Sequence, residues 1–102
     1  MMTAKNEFFP EISEATKARY FSSLASQIHQ LRQAMERSDN KSVREICHRV
    51  RGSASLFGLK DLGEVCRDVE EACLAENPEA IVSGFQAIEV IVSRHLSPAE
   101  AS

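Results

Sequence analysis

The sequence has no tryptophan, a single tyrosine and only 6% aromatic residues. Sheet cores lean on aromatic and β-branched side chains, so this scarcity favours a helical bundle packed with Leu, Ile, Val and Ala. Punctuation is equally sparse, with four glycines and three prolines. No internal repeat or low-complexity linker divides the 102 residues. One domain is expected, residues 1–102 with a core over about 13–96. That is too small for a two-lobed enzyme cleft. Basic excess is missing too: the net charge is −3, which speaks against a nucleic-acid partner. No apolar run approaches the ~20 residues that a membrane span needs. The opening MMTAKNEFFP lacks the apolar stretch and cleavage site of a secretory signal. Three cysteines, an odd count without such a signal, argue against a disulfide framework and for the cytoplasm.

What is present is helical periodicity. Tyr20/Phe21, Leu24, Ile28, Leu31 and Met35 recur at helical spacing over residues 13–37. Ser38-Asp39-Asn40 ends that run, and either Asp39 or Ser42 could cap the next helix. Ser42 has Glu45 three residues on, as a capping box would. The second helix is expected over residues 41–57, closed by Gly58 in the left-handed conformation. The third is expected over 60–75, with Leu62, Val65, Cys66, Val69 and Cys73 on one stripe. Asn77-Pro78-Glu79 is a strong start signal for a fourth helix reaching about residue 95, with Ile81, Phe85, Ile88 and Val92 inward. Short links between such helices favour an all-α, antiparallel up-down four-helix bundle. Phe8-Phe9-Pro10-Glu11-Ile12 would form a short helical lid over one end, or else an exposed binding anchor.

One stretch conflicts with its own helix. HRVRGSASLFG, residues 48–58, places Gly52, Ser53, Ala54 and Ser55 together inside the second helix. A helix-interior glycine costs ~1 kcal/mol relative to alanine, and serine competes for backbone hydrogen bonds. On a helical wheel Val43, Cys47, Val50, Ala54 and Phe57 form the core stripe, and His48 lies roughly 150° from its centre. Lys41, Arg44, Arg51, Gly52 and Ser55 share the outward sector with His48. An exposed imidazole among cations, with no side chain at Gly52 one turn on, suits the approach of something large and anionic. A solvated helix face is the plainer reading of the same pattern.

These residues resemble the signature of histidine-containing phosphotransfer (HPt) domains: a histidine, then an apolar residue, Lys or Arg, Gly-Ser-Ala, an apolar residue and Gly. Here they are His48, Val50, Arg51, Gly52, Ser53, Ala54, Phe57 and Gly58. The continuation LKDLGEVCRDVEEA is similar to the family's following helix, with Leu62, Cys66, Val69 and Glu70 in matching places. Lysine is more frequent in the family at the position of Arg51. Charge is kept there, but a planar fork replaces a point charge.

The resemblance implies a phosphoryl carrier rather than a turnover enzyme, working in a two-component or multistep phosphorelay. His48 would be the phosphorylated nucleophile. It would accept the group from a receiver aspartate or from a histidine kinase or hybrid sensor kinase, and pass it to a receiver-domain aspartate. Its partners would be response-regulator receiver domains and the kinase, with the chain itself a monomer. Arg51 and Arg44 would steady phosphoryl oxygens, Gly52 and Ser55 would give clearance, and Lys41 would steer at longer range. Glu70 would accept from His48 Nδ1, leaving Nε2 to attack, unless it is a plain exposed glutamate. No cofactor is expected in this chain, and Mg2+ would sit in the receiver's acidic pocket.

Other chemistry finds less support. His29 falls on a polar face, and His95 lies at a helix C-terminus, where positive charge is favourable anyway. Cys47 points about 100° away from His48 on the wheel, and Cys66 and Cys73 read as small core hydrophobes. No Cys/His spacing suggests zinc, and no inward Glu-x-x-His set suggests a metal-bundle enzyme. The main competing function is a helical adaptor that docks on a receiver or kinase without carrying phosphate. With no catalytic or receiver segment in the sequence, a free-standing relay protein is the expectation.

Overall fold

The computed structural model describes residues 12–96. Its four helices are α1 (Glu14–Glu36), α2 (Asn40–Leu56), α3 (Lys60–Leu74) and α4 (Pro78–Leu96). They form the antiparallel four-helix bundle that the periodicity predicts. Each boundary lies within one residue of expectation. The lid expected over Phe8 to Ile12 falls on residues 8–11, outside the described residues, except for half-buried Ile12.

The helix starts follow side-chain chemistry. Ser13 caps α1 by accepting from the Thr16 amide at 3.1 Å. Asp39 caps α2, accepting from the Ser42 amide at 3.1 Å, and the Ser42 hydroxyl donates to its other oxygen at 2.7 Å. Those two bonds hold the Asp39 carboxyl below its ordinary pKa, with the Ser42 hydroxyl the larger cause. The capping box on Ser42 and Glu45 is therefore corrected. Ser42 already lies inside the helix, and the aspartate takes the orphan amide. Asn77 caps α4 by accepting from the Ala80 amide at 3.2 Å, as its sequence predicts.

The three links, residues 37–39, 57–59 and 75–77, share one geometry. In each the middle residue is left-handed: Ser38 (φ 54°), Gly58 (φ 75°) and Glu76 (φ 54°). The following amide reaches back to close the old helix, Asp39 to Ala34 O, Leu59 to Ala54 O and Asn77 to Ala72 O, all between 2.9 and 3.0 Å. This is the Schellman closure. The residue that completes it also begins the next helix, so the chain reverses within three residues. That is why successive helices lie antiparallel and adjacent.

The core runs along all four helices, with Leu24, Leu31, Val43, Val50, Leu62, Val69 and Ile88 fully buried. Of the four seams between neighbouring helices, α2–α3 is the most extensive and α1–α4 the least. At that last seam Arg32 donates to Glu89 from Nη2 at 2.6 Å and Nε at 3.1 Å. Phe85 and Met35, expected inside, are half-buried against the core, and Ala34 takes the interior place beside Met35. Tyr20 stacks on Phe57 with ring centres 3.9 Å apart, joining α1 to the end of α2. Among the described residues no helix is long and apolar enough to cross a membrane.

Candidate functional site

His48 sits mid-way along α2, opposite a buried stripe of Val43, Cys47, Val50 and Ala54. That stripe fixes the rotation of α2 and aims the imidazole outward, its side chain 68% exposed. Across the α2–α3 seam Glu70 is far less exposed, at 14%. It flanks the α3 stripe of Leu62, Cys66, Val69 and Cys73, so its carboxylate emerges at the edge of the core facing α2.

Glu70 uses both oxygens. Oε1 lies 3.1 Å from His48 Nδ1, and Oε2 accepts from Arg51 Nε at 2.8 Å. Arg51 Nη2 also lies 3.3 Å from His48 Nδ1. These contacts select the imidazole tautomer. A carboxylate accepts and a guanidinium only donates. With a proton on Nδ1, Glu70 Oε1 receives a charge-assisted hydrogen bond. Without it, Oε1 would face a lone pair at 3.1 Å. The shorter contact, to the Glu70 carboxylate, favours the proton on Nδ1 over the longer Arg51 contact, which favours a bare Nδ1, and that tautomer leaves the Nε2 lone pair free.

The space around the ring is shaped by what is missing. A Cβ built on Gly52 would meet nothing within 4 Å. Gly52, Ser55, Arg51 and His48 line one shallow hollow beside the ring. Arg44, Glu45, Arg49, Glu70 and His48 line another on its far side. A third hollow lies past Arg51, toward Gly58, Lys60 and Arg67. Gly63 of α3 faces the Arg51 stem, at 4.0 Å from Cγ to a built Cβ, an ordinary contact that a methyl group would also keep.

Five residues singled out in the sequence border the His48 imidazole: Arg51 and Glu70 by hydrogen-bond contact, and Arg44, Gly52 and Ser55 in the flanking hollows. Lys41 is exposed, outside those hollows. The sequence did not foretell that Arg51 is engaged with Glu70, rather than projecting freely to meet an anion. Arg49 and Glu45 were also missed. They lie one residue from His48 and three before it, but off the sector that the wheel marks as its own.

The remaining candidates lie elsewhere. His29 is exposed on α1. His95 stacks on Phe21 with ring centres 6.2 Å apart. Cys47, Cys66 and Cys73 are free and buried. A hydrogen bond to Cys66, then burial, push the Cys47 thiol far above its usual pKa, and burial raises Cys73. Such thiols stay protonated and make poor nucleophiles. Among the described residues no three His, Cys, Asp or Glu side chains come together as a metal site.

The family model of the Hpt domain matches residues 16–95, which takes in nearly all of the four helices and every residue of the site. No curated protein and no solved structure matches the chain.

Proposed function

The chain belongs to the Hpt domain family, and from that premise we propose that it relays phosphoryl groups through His48. The observation that carries this reading is the Glu70 contact to Nδ1 at 3.1 Å, which leaves Nε2 as an exposed nucleophile. His48 Nε2 attacks the phosphorus of an aspartyl phosphate on a receiver domain. The P–N bond forms, the P–O bond to the aspartate breaks, and its electron pair returns to the carboxylate. The ring becomes a phosphoimidazolium that keeps its proton on Nδ1, and Glu70 balances its positive charge. The reverse sequence delivers the group to the aspartate of a second receiver. A kinase donor would load the same nitrogen from ATP.

Phosphoryl transfer depends on placement and charge neutralisation more than on covalent help. Arg44 and the Nη groups of Arg51 flank the ring and would meet the equatorial oxygens. Gly52 and Ser55 leave clearance for the receiver's active-site loops. Mg2+ would be held by the receiver's carboxylates, because both oxygens of Glu70 are already engaged here. The chain acts as a carrier in this scheme, and turnover belongs to the pair.

The test uses a phosphorylated receiver domain or a kinase with labelled ATP as donor. Label should appear on this chain, be labile in acid and stable in alkali, and be missing from His48→Gln. Label that persists in that variant defeats the assignment. A helical adaptor would instead bind the receiver equally well as parent and as His48→Ala, with no label transferred to either.

A further inference from the structure

Three of the four glycines have room for a side chain: Gly52 and Gly58 face open space, and Gly63 has ordinary contact distances. Gly84 does not. A Cβ built there would overlap Val69 Cγ2 and lie 3.7 Å from Val69 Cβ. Val69 is 1% exposed. Its β-branched side chain has few rotamers in a helix, so it cannot swing clear. Gly84 also lies inside α4, where helix propensity alone would favour alanine by ~1 kcal/mol. The glycine therefore serves the close approach of α3 to α4 at Val69.

Val69 precedes Glu70. Neighbouring residues on a helix point about 100° apart, so the turn that seats Val69 on α4 also aims Glu70 at α2. We infer that Gly84 is a positioning residue for His48. By admitting Val69 it holds α3 at the depth and rotation from which Glu70 reaches both His48 Nδ1 and Arg51 Nε. An added methyl moves α3 away from α4 or turns it about its axis, and Glu70 travels with it. The Nδ1–Oε1 separation of 3.1 Å is already near the long end of an N–H···O bond, roughly 2.7–3.2 Å. A displacement of a few tenths of an ångström weakens it. Arg51 Nη2, 3.3 Å from Nδ1, then becomes the better partner of that nitrogen, and the proton moves to Nε2. Only the kinetic consequence of this inference rests on the phosphotransfer reading.

The test is nitrogen NMR of the full chain with labelled histidine, at a pH where imidazole is neutral. The parent should show His48 mainly protonated on Nδ1. Gly84→Ala should move the population several-fold toward Nε2–H and slow phosphoryl acceptance about tenfold, the lower end of what a lost orienting hydrogen bond costs. Val69→Ala added to Gly84→Ala clears the methyls that collide and should restore the parental ratio. A folded Gly84→Ala with the parental ratio overturns the inference, as does a double variant that stays perturbed. If Gly84→Ala does not fold, Val69→Ile presses the same contact from the other side, and a parental ratio there overturns it equally. If even the parent takes no label, the phosphotransfer reading fails while the NMR result still decides the role of Gly84.

Discussion

Two seams of the bundle carry an arginine–glutamate pair, and the two pairs do different things. Between α1 and α4, Arg32 meets Glu89 at 2.6 Å with side chains 47% and 35% exposed. Between α2 and α3, Arg51 meets Glu70 at 2.8 Å with side chains 39% and 14% exposed. Distance does not separate them. What differs is the carboxylate's burial and its third partner. Glu89 faces water and spends one oxygen on its arginine. Glu70 is largely withdrawn from water, so each of its oxygens needs a protein donor. Arg51 supplies one and His48 the other. A carboxylate this far withdrawn at a helix seam becomes an orienting group because it has little solvent to fall back on.

Removing each carboxylate in turn and following phosphoryl acceptance should separate the two pairs most widely. Glu89→Ala should leave the rate within about twofold, since exposed pairs contribute little. Glu70→Ala should slow it on the order of 10²-fold, the scale at which misplaced catalytic groups act. The loss has a specific cause. With the carboxylate gone, Arg51 Nη2 donates to Nδ1, and the proton occupies Nε2, where the phosphoryl group must bind. Adding Arg51→Met to Glu70→Ala removes that donor and should return part of the ring population to Nδ1–H in nitrogen NMR, although the rate then also lacks the Arg51 cation. A double variant with the proton distribution of Glu70→Ala would show that the guanidinium does not compete for the ring.

Stability should separate the seams less steeply. Arg51→Met leaves the Glu70 carboxylate without its cation in a site that water reaches poorly, and should cost about 1–2 kcal/mol in denaturant unfolding. Arg32→Met exposes Glu89 to solvent that already wets it, and should cost under about 1 kcal/mol. Equal costs would mean that water reaches Glu70 as easily as Glu89. The difference in exposure would then not explain their different roles.

The legibility of these features follows the range of the forces behind them. The outward direction of His48 was plain from the wheel, because the Val43–Cys47–Val50–Ala54 stripe leaves α2 one way to face the core. The start of α4 was equally plain, since Asn77 and Pro78 act within one turn. Asp39 and Ser42 were both good caps, and the sequence alone left the choice open. The Glu70–His48 contact came into view only through the family resemblance, because the wheel placed Glu70 merely beside its stripe. The Arg51–Glu70 bond depends on how α2 and α3 are phased against each other, which neither helix encodes alone. Gly63 and Gly84 carry no signal in the sequence beyond being glycines inside helices. What each lies against, the Arg51 stem and Val69, is a fact of packing.

The links reveal a further contrast between the seams, on the smallest energy scale. The α2–α3 link turns on Gly58 at φ 75°, whereas the α3–α4 link makes the same left-handed turn with Glu76 at φ 54°. Left-handed backbone costs an L-residue roughly 1–2 kcal/mol, and glycine almost nothing. A glycine therefore marks the left-handed residue of the first turn and none marks that of the second, although their hydrogen bonds match: Leu59 to Ala54 at 2.9 Å, and Asn77 to Ala72 at 3.0 Å. Gly58→Ala should destabilise the fold by about 1 kcal/mol, even though its Cβ would meet nothing within 4 Å. Glu76→Gly should stabilise it by somewhat less, because glycine also loosens the unfolded chain. Chemical denaturation of the two variants reads both signs. If Glu76→Gly destabilises, the Glu76 side chain contributes something to its turn that outweighs the backbone term, and the two links are not equivalent. If the signs come out as expected, the same turn is made twice, and glycine is an economy at one seam rather than a requirement of the fold.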